Sequence, residues 1–198
     1  MTQIHDAGGG SDSLLRERPL DPRPAFPRAS TVEVLRFAIA QCSLGAILVA
    51  SSAKGVVAIL IDNDADTLID DLHVRFPHAQ LGEGNARDRA AVNQVIAFIE
   101  APERGLDLPL HVRGTAFQQQ VWRALREIPA GKIASYADVA SAIGAPKAVR
   151  SVAGACAHNN LAVAIPCHRV VRSDGSLSGY AWGVERKRAL LGREGARQ

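Results

Sequence analysis

The sequence predicts an α/β half followed by a mostly helical half, and three observations carry that prediction. Short apolar runs separated by turn residues crowd residues 34–61; two segments of helical period follow before residue 100; from Thr115 onward, helix-start signals alternate with Gly- and Pro-containing turns. With 198 residues, 47% of them hydrophobic and 22% charged, the chain holds enough apolar side chains for a sizeable core.

Residues 1–30 combine Gly8-Gly9-Gly10, Ser11 and Ser13 with Pro19, Pro22, Pro24 and Pro27. So little apolar surface does not offset the entropy of ordering, and a disordered tail is expected there. Val34 to Ala40, Ala46 to Ala50 and Val56 to Ile61 then read as strands of a small antiparallel sheet, the last two joined across Ser51-Ser52-Ala53-Lys54-Gly55. Asn63 or Asp64 caps a helix that carries Leu68, Leu72 and Phe76 on one face and stops at Pro77. A second helix buries Val92, Val95, Ile96 and Ile99, and Leu106, Leu108, Leu110 and Val112 alternate as an extended connection. These elements predict a first domain over residues 31–108. Its acidic residues Asp62, Asp64, Asp66, Asp70 and Asp71 suit a helix start better than a metal site, because negative charge favours that end of the dipole.

The second domain is expected over residues 109–198. Thr115-Ala116-Phe117-Gln118 matches a capping box, and Phe117, Val121, Leu125 and Ile128 follow at helical spacing up to Pro129-Ala130-Gly131. Ser135, with Asp138 three residues on, opens a helix that buries Val139, Ala140 and Ile143 and ends at Gly144. A further helix from about Ala148 to His158 buries Val149 and Val152. Two short helices around a tight Gly-containing turn form a helix-turn-helix pattern. The exposed side of the second helix should hold Arg150, Ser151, Gly154 and Ala155, a small-residue surface with one long cation rather than the polar base readers of a major-groove helix.

The net charge of +3 conceals an asymmetry. Residues 1–108 carry 10 basic and 15 acidic side chains, whereas 109–198 carry 13 and 5. A basic half joined to an acidic one is expected where one part meets a polyanion, of which nucleic acid is the commonest. Cys42, Cys156 and Cys167 are odd in number and widely spaced, no stretch reaches the roughly 18 apolar residues of a membrane span, and the N-terminus has no apolar signal core. A cytoplasmic protein is therefore expected.

The stretch most suggestive of chemistry is Ala164-Ile165-Pro166-Cys167-His168-Arg169-Val170-Val171. Leu161 to Ile165 reads as a buried strand that Pro166 ends, which sets Cys167 where strand gives way to loop. Free cysteine often serves as small apolar filler. Filler does not need a proline before it and a His-Arg pair after it, so Cys167 reads as a nucleophile.

Together these residues resemble the O6-alkylguanine-DNA alkyltransferase family, including the C-terminal half of the bacterial adaptive-response methyltransferases. The likeness runs from about Leu35 to Glu194 and is densest in Arg113 to Trp122, Ser135-Tyr136, Pro146 to Arg150 and Ile165 to Val171. It implies an RNase H-like first domain, a second domain holding the helix-turn-helix beside the cysteine, minor-groove binding to double-stranded DNA as a monomer, and no cofactor or metal. It further implies that Cys167 accepts the alkyl group from O6 of a flipped guanine, with His168 its base through a water and Glu194 the carboxylate that orients the imidazole. Arg150 would fill the gap left by the base, Tyr136 would rotate the phosphate and donate to the guanine, and Asn159 would bridge recognition helix and active-site segment. Ser135, Ser151 and Ser173 match DNA-contacting positions, and Val170, Tyr180 and Ala181 the substrate pocket. Ala181 stands where some relatives have a serine, leaving the adduct range and activity on O4-alkylthymine open. No four-cysteine cluster occurs in the tail, so phosphotriester repair is not implied.

Three other readings remain at this stage. Cys156-Ala157-His158 with Cys167-His168 offers four zinc-ligand types at a spacing that matches no common zinc pattern. A non-catalytic lesion-binding or regulatory protein is the second, and a cysteine hydrolase the third.

Overall fold

The computed structural model describes residues 32–177 and 179–196; the tail expected at residues 1–30 lies outside them. Strands β1 (Val34–Cys42), β2 (Gly45–Ser52) and β3 (Gly55–Asp62) form an antiparallel meander. Two residues link β2 to β3. Helix α1 (Ala65–Arg75) then leads to β4 (Gln80–Glu83), which pairs parallel to β1, so the sheet order is β3-β2-β1-β4. The sheet is therefore mixed, where the sequence predicted an antiparallel one. Gln-Leu-Gly-Glu has neither a β-branched residue nor a clear alternation, so β4 exists because β1 offers it an edge.

Ala46 to Ala50 of β2 are all fully buried. Such a run is expected of a strand covered on both faces. The cap of α1 is Asp64, whose carboxylate accepts from Thr67 N. Helix α2 (Ala86–Glu100) opens with a full capping box: the Asn85 side chain accepts from Arg87 N and Asp88 N, and Asp88 accepts from Asn85 N.

Past a short 3₁₀ turn (Pro102–Arg104) the connection runs irregularly along the edge of the sheet, touching it where Val56 N donates to Pro109 O and His111 N to Val56 O. Helices α3 (Ala116–Arg126) and α4 (Tyr136–Ala142) both begin with the capping boxes read from the sequence, at Thr115/Gln118 and Ser135/Asp138. Helix α5 (Val149–Ala157) packs against α3 and α4. Ala155, expected on its exposed side, is instead buried, its carbonyl accepting from Trp122 Nε1 at 2.9 Å. A second small sheet pairs β5 (Ala134–Ser135) in parallel with β6 (Val170–Val171), and α6 (Val184–Arg193) closes the fold. Among the described residues no helix is long and apolar enough to cross a membrane.

The capping box of α2 is a local device whose cost can be isolated. Asn85→Ala should lower stability by about 1 kcal/mol, seen as a lower urea midpoint at an unchanged denaturant slope.

Candidate active site

The segment before the cysteine is not the strand that its apolar run predicts. One bridge joins Leu161 to Ile59 of β3, and the chain then turns. Ala164 N donates to Ala162 O around Val163, which sits at φ 58°, and Cys167 N donates to Ile165 O around Pro166 at φ −80°, ψ 59°. These are successive three-residue turns, the first in a conformation that costs a β-branched residue about 1–3 kcal/mol. A short buried apolar run has no periodicity to separate strand from turn. Cys167 accordingly opens a 3₁₀ turn (Cys167–Arg169) that precedes β6, and does not close a strand.

Asn159, one residue past the end of α5 and its cap His158, is what makes the turn affordable. Its Oδ1 accepts from Leu161 N at 2.8 Å, and its Nδ2 lies 2.9 Å from Ile165 O and 3.2 Å from Cys167 Sγ. Asn159 is fully buried, so these partners replace water for backbone groups that no sheet pairs.

The sulfur faces a cavity of about 510 Å³ lined by Tyr136, Ala153, Cys156, Ala157, Arg172, Gly179, Tyr180 and Ala181. That volume lies within the range of small-molecule sites. Burial pushes the Cys167 thiol up to about 11, the Asn159 hydrogen bond and the charge of Lys187 opposing it; burial also pushes Cys156 up to about 12.

On the other side of the cysteine lies a buried ionic group. Glu194 Oε1 is 3.0 Å from His168 Nε2, and both carboxylate oxygens accept from Arg169 at 2.8–3.2 Å. Burial alone would raise the Glu194 carboxyl, but the hydrogen bonds from His168 and Arg169 outweigh it and hold the group at about 2. Burial lowers His168 below the ordinary imidazole value, with the Glu194 hydrogen bond resisting. A neutral imidazole beside an ionised carboxylate must donate from Nε2, which leaves Nδ1 a bare acceptor. That atom is buried without a hydrogen-bond partner among the described residues, as are the Tyr180 hydroxyl and Trp182 Nε1. The Tyr180 ring stands edge-on to His168, centroids 6.4 Å apart.

The structure thus gathers Cys167, Tyr136, Tyr180 and Ala181 around one cavity and ties Asn159, His168 and Glu194 to the cysteine turn. Ser135 is the cap of α4. Arg150 and Ser151 are exposed on the first turn of α5, and Ser173 is exposed after β6. Val170, expected on the pocket, is buried in β6 and does not line the cavity; its carbonyl accepts from Lys187 Nζ.

Three residues escaped the sequence reading. Arg169 was legible only as part of a His-Arg pair, yet it grips Glu194 and donates to Ile128 O. Lys187 sits in the charged run Glu185 to Arg188 but is fully buried; its one signal is the i, i+3, i+4 spacing with Leu190 and Leu191. Arg172 lines the cavity with no distinguishing pattern.

Residues 116–196 match the family model described as 6-O-methylguanine DNA methyltransferase, DNA binding domain. The chain is 55% identical over 160 residues to the bifunctional transcriptional activator/DNA repair enzyme Ada of Escherichia coli, covering 81% of this chain and 45% of that one. It is 39% identical over 153 residues to a methylated-DNA--protein-cysteine methyltransferase of Methanosarcina barkeri, covering 77% and 92%. The crystal structure of Mycobacterium tuberculosis OGT in complex with DNA superposes with a TM-score of 0.67 at 34% identity, over 82% of this chain and 92% of that one. The chain spans less than half the length of the Ada-type relatives.

Both acid-lowered groups make acid destabilising. The unfolded chain binds protons at His168 near 6.5 and at Glu194 near 4.5, where the folded chain does not. Stability is therefore full above the ordinary imidazole value, falls below it, and falls again from pH 4.5 toward 2. In urea titrations, wild type should exceed Glu194→Gln by on the order of 3 kcal/mol at pH 7, and the gap should close as pH approaches 2.

Proposed function

Since the chain belongs to the 6-O-methylguanine DNA methyltransferase family, we propose that it repairs alkylated DNA by direct reversal, moving a methyl or larger alkyl group from O6 of guanine in duplex DNA onto Cys167 in one irreversible turnover. The observation that carries this reading is the Cys167 thiol on the wall of a cavity large enough for a base, next to the helix-turn-helix and in contact with Asn159.

At a thiol value of about 11, roughly one resting molecule in ten thousand is thiolate at pH 7. Deprotonation is therefore coupled to substrate. The thiol proton passes through a water to the bare Nδ1 of His168, and Glu194, already ionised, stabilises the imidazolium that forms. Sγ attacks the alkyl carbon in line with the O–C bond, the bonding pair leaves with O6, and the guanine takes a proton from Tyr136. The His168 proton returns to Tyr136 through solvent, so the thiol proton ends on the base. The product is a thioether, which has no activated carbonyl through which water could release it.

The base reaches the cavity by leaving the stack, at a cost of a few kcal/mol. Arg150, exposed on α5, fills the gap, and phosphate contacts from the basic half, Ser135, Ser151 and Ser173 among them, offset the cost. Binding is from the minor groove by a monomer, without cofactor or metal, in the cytoplasm. The sheet order β3-β2-β1-β4, with only β1 and β4 parallel, is compatible with an RNase H-like arrangement of the residues before 109.

Intact-mass and peptide mapping after incubation with O6-methylguanine duplex should find one methyl group per chain, on Cys167. Cys167→Ser should gain none, and turnover beyond one equivalent, or methyl on Cys42 or Cys156, would refute the proposal. Arg150→Ala should slow repair of duplex by about tenfold or more while sparing a single-stranded oligonucleotide, which needs no gap filled.

A further inference from the structure

Arg186 joins the first domain to the wall of the cavity. From the first turn of α6 its Nε donates to Leu44 O (2.8 Å) in the β1–β2 turn, its NH2 to Asn63 Oδ1 (2.6 Å) just past β3, and its NH1 to Trp182 O (2.8 Å). The β1–β2 turn is shaped for this contact. Gly45 takes φ 113°, and a Cβ there would lie 2.4 Å from Asp62 O and 3.3 Å from Arg186 NH2. The positive φ and the approach to Asp62 O require glycine there, and its missing side chain also leaves room for the guanidinium.

Trp182 is the start of a chain of aromatic contacts. Its ring meets Tyr180 edge-on with centroids 5.1 Å apart, and Tyr180 in turn meets His168. Gly183 N donates to Tyr180 O at 2.9 Å, which closes Tyr180 to Gly183 into a turn. Tyr180 and Ala181 line the same cavity as Cys167. The buried polar atoms of Tyr180 and Trp182 have no partner among the described residues, so ring packing and the one carbonyl held by Arg186 are what fix this wall.

We infer that Arg186 is a positioning residue for alkyl transfer: it straps the Tyr180–Gly183 turn to the first-domain sheet and thereby sets the wall against which the substrate base must lie. The inference rests on the alkyl-transfer reading for its kinetic consequence, while its structural half can be tested without substrate. A planar, three-way fork suits Arg and not Lys, whose ammonium reaches fewer of these acceptors in one geometry.

The test uses the full chain carrying 5-fluorotryptophan. The sequence holds two tryptophans, so Trp122, on α3, is an internal control for Trp182. In Arg186→Ala the Trp182 fluorine resonance should shift and broaden while that of Trp122 stays in place. With O6-methylguanine duplex, the saturating single-turnover rate should fall by about tenfold, as expected when a positioning contact is lost. The half-saturating duplex concentration should change less than twofold. Arg186→Lys should recover part of the rate. Unchanged Trp182 with an unchanged rate would overturn the inference, and so would equal changes at both tryptophans, which would mark Arg186 as a general prop. Should Arg186→Ala fail to fold, Asn63→Ala removes one acceptor and should move Trp182 alone, by less; no movement there would also overturn it. A wild-type chain that transfers no methyl would instead defeat the functional reading, leaving the fluorine result to judge the strap.

Discussion

The side chain of Asn159 sets the constraint on which the site depends. A buried segment that leaves β3 after one bridge and then makes two three-residue turns has lost its ladder partners, and each buried, unpaired backbone group costs on the order of 1–3 kcal/mol. One amide meets Leu161 N and Ile165 O and still reaches Cys167 Sγ. Because Asn159 follows the His158 cap of α5, the position of the sulfur is coupled to the helix proposed to face DNA. The strained φ of Val163 persists because this network overdetermines the turn.

A second consequence is electrostatic. Packing a thiol, an imidazole, a carboxylate, a guanidinium and an ammonium into one buried region separates their roles. The carboxylate is anionic because Arg169 and His168 surround it with donors, the imidazole is neutral because burial penalises its charged form, and the thiol stays protonated for the same reason. In the proposed reaction this arrangement keeps the nucleophile inert at rest. Its activation then needs the base in place, so the sulfur is spared from side reactions without being removed from the cavity.

The four-stranded sheet contributes geometry to a site whose chemistry lies between Tyr136 and Glu194. Its edge strand β3 pairs through Ile59 with Asn160 and Ala162 on the way to Cys167, and Arg75 of α1 reaches Asn160 Oδ1 at 2.7 Å. Through Arg186 the same sheet holds the opposite wall. The sheet is thus a common reference for both sides of the cavity, which accounts for Lys187 and Arg186, neighbours on α6, facing such different surroundings.

Local devices were legible without the fold. The capping boxes at Thr115 and Ser135, the cap at Asp64, the helical faces of α1 to α4 and the Pro-Cys-His-Arg core could all be read from residue spacing, because each involves partners within a few positions. Tertiary structure decided the rest. Strand β4 needs β1 beside it, the turn at residues 161–167 needs Asn159 to replace a ladder, Ala155 is buried because Trp122 reaches its carbonyl, and Lys187 is inward because β6 presents Val170 O. Sequence by itself determined which groups could react and where helices begin, since those are properties of residues and their near neighbours. Which of those groups share a cavity, and in what state of ionisation, was decided by contacts between positions up to 142 residues apart, for which linear spacing carries no signal.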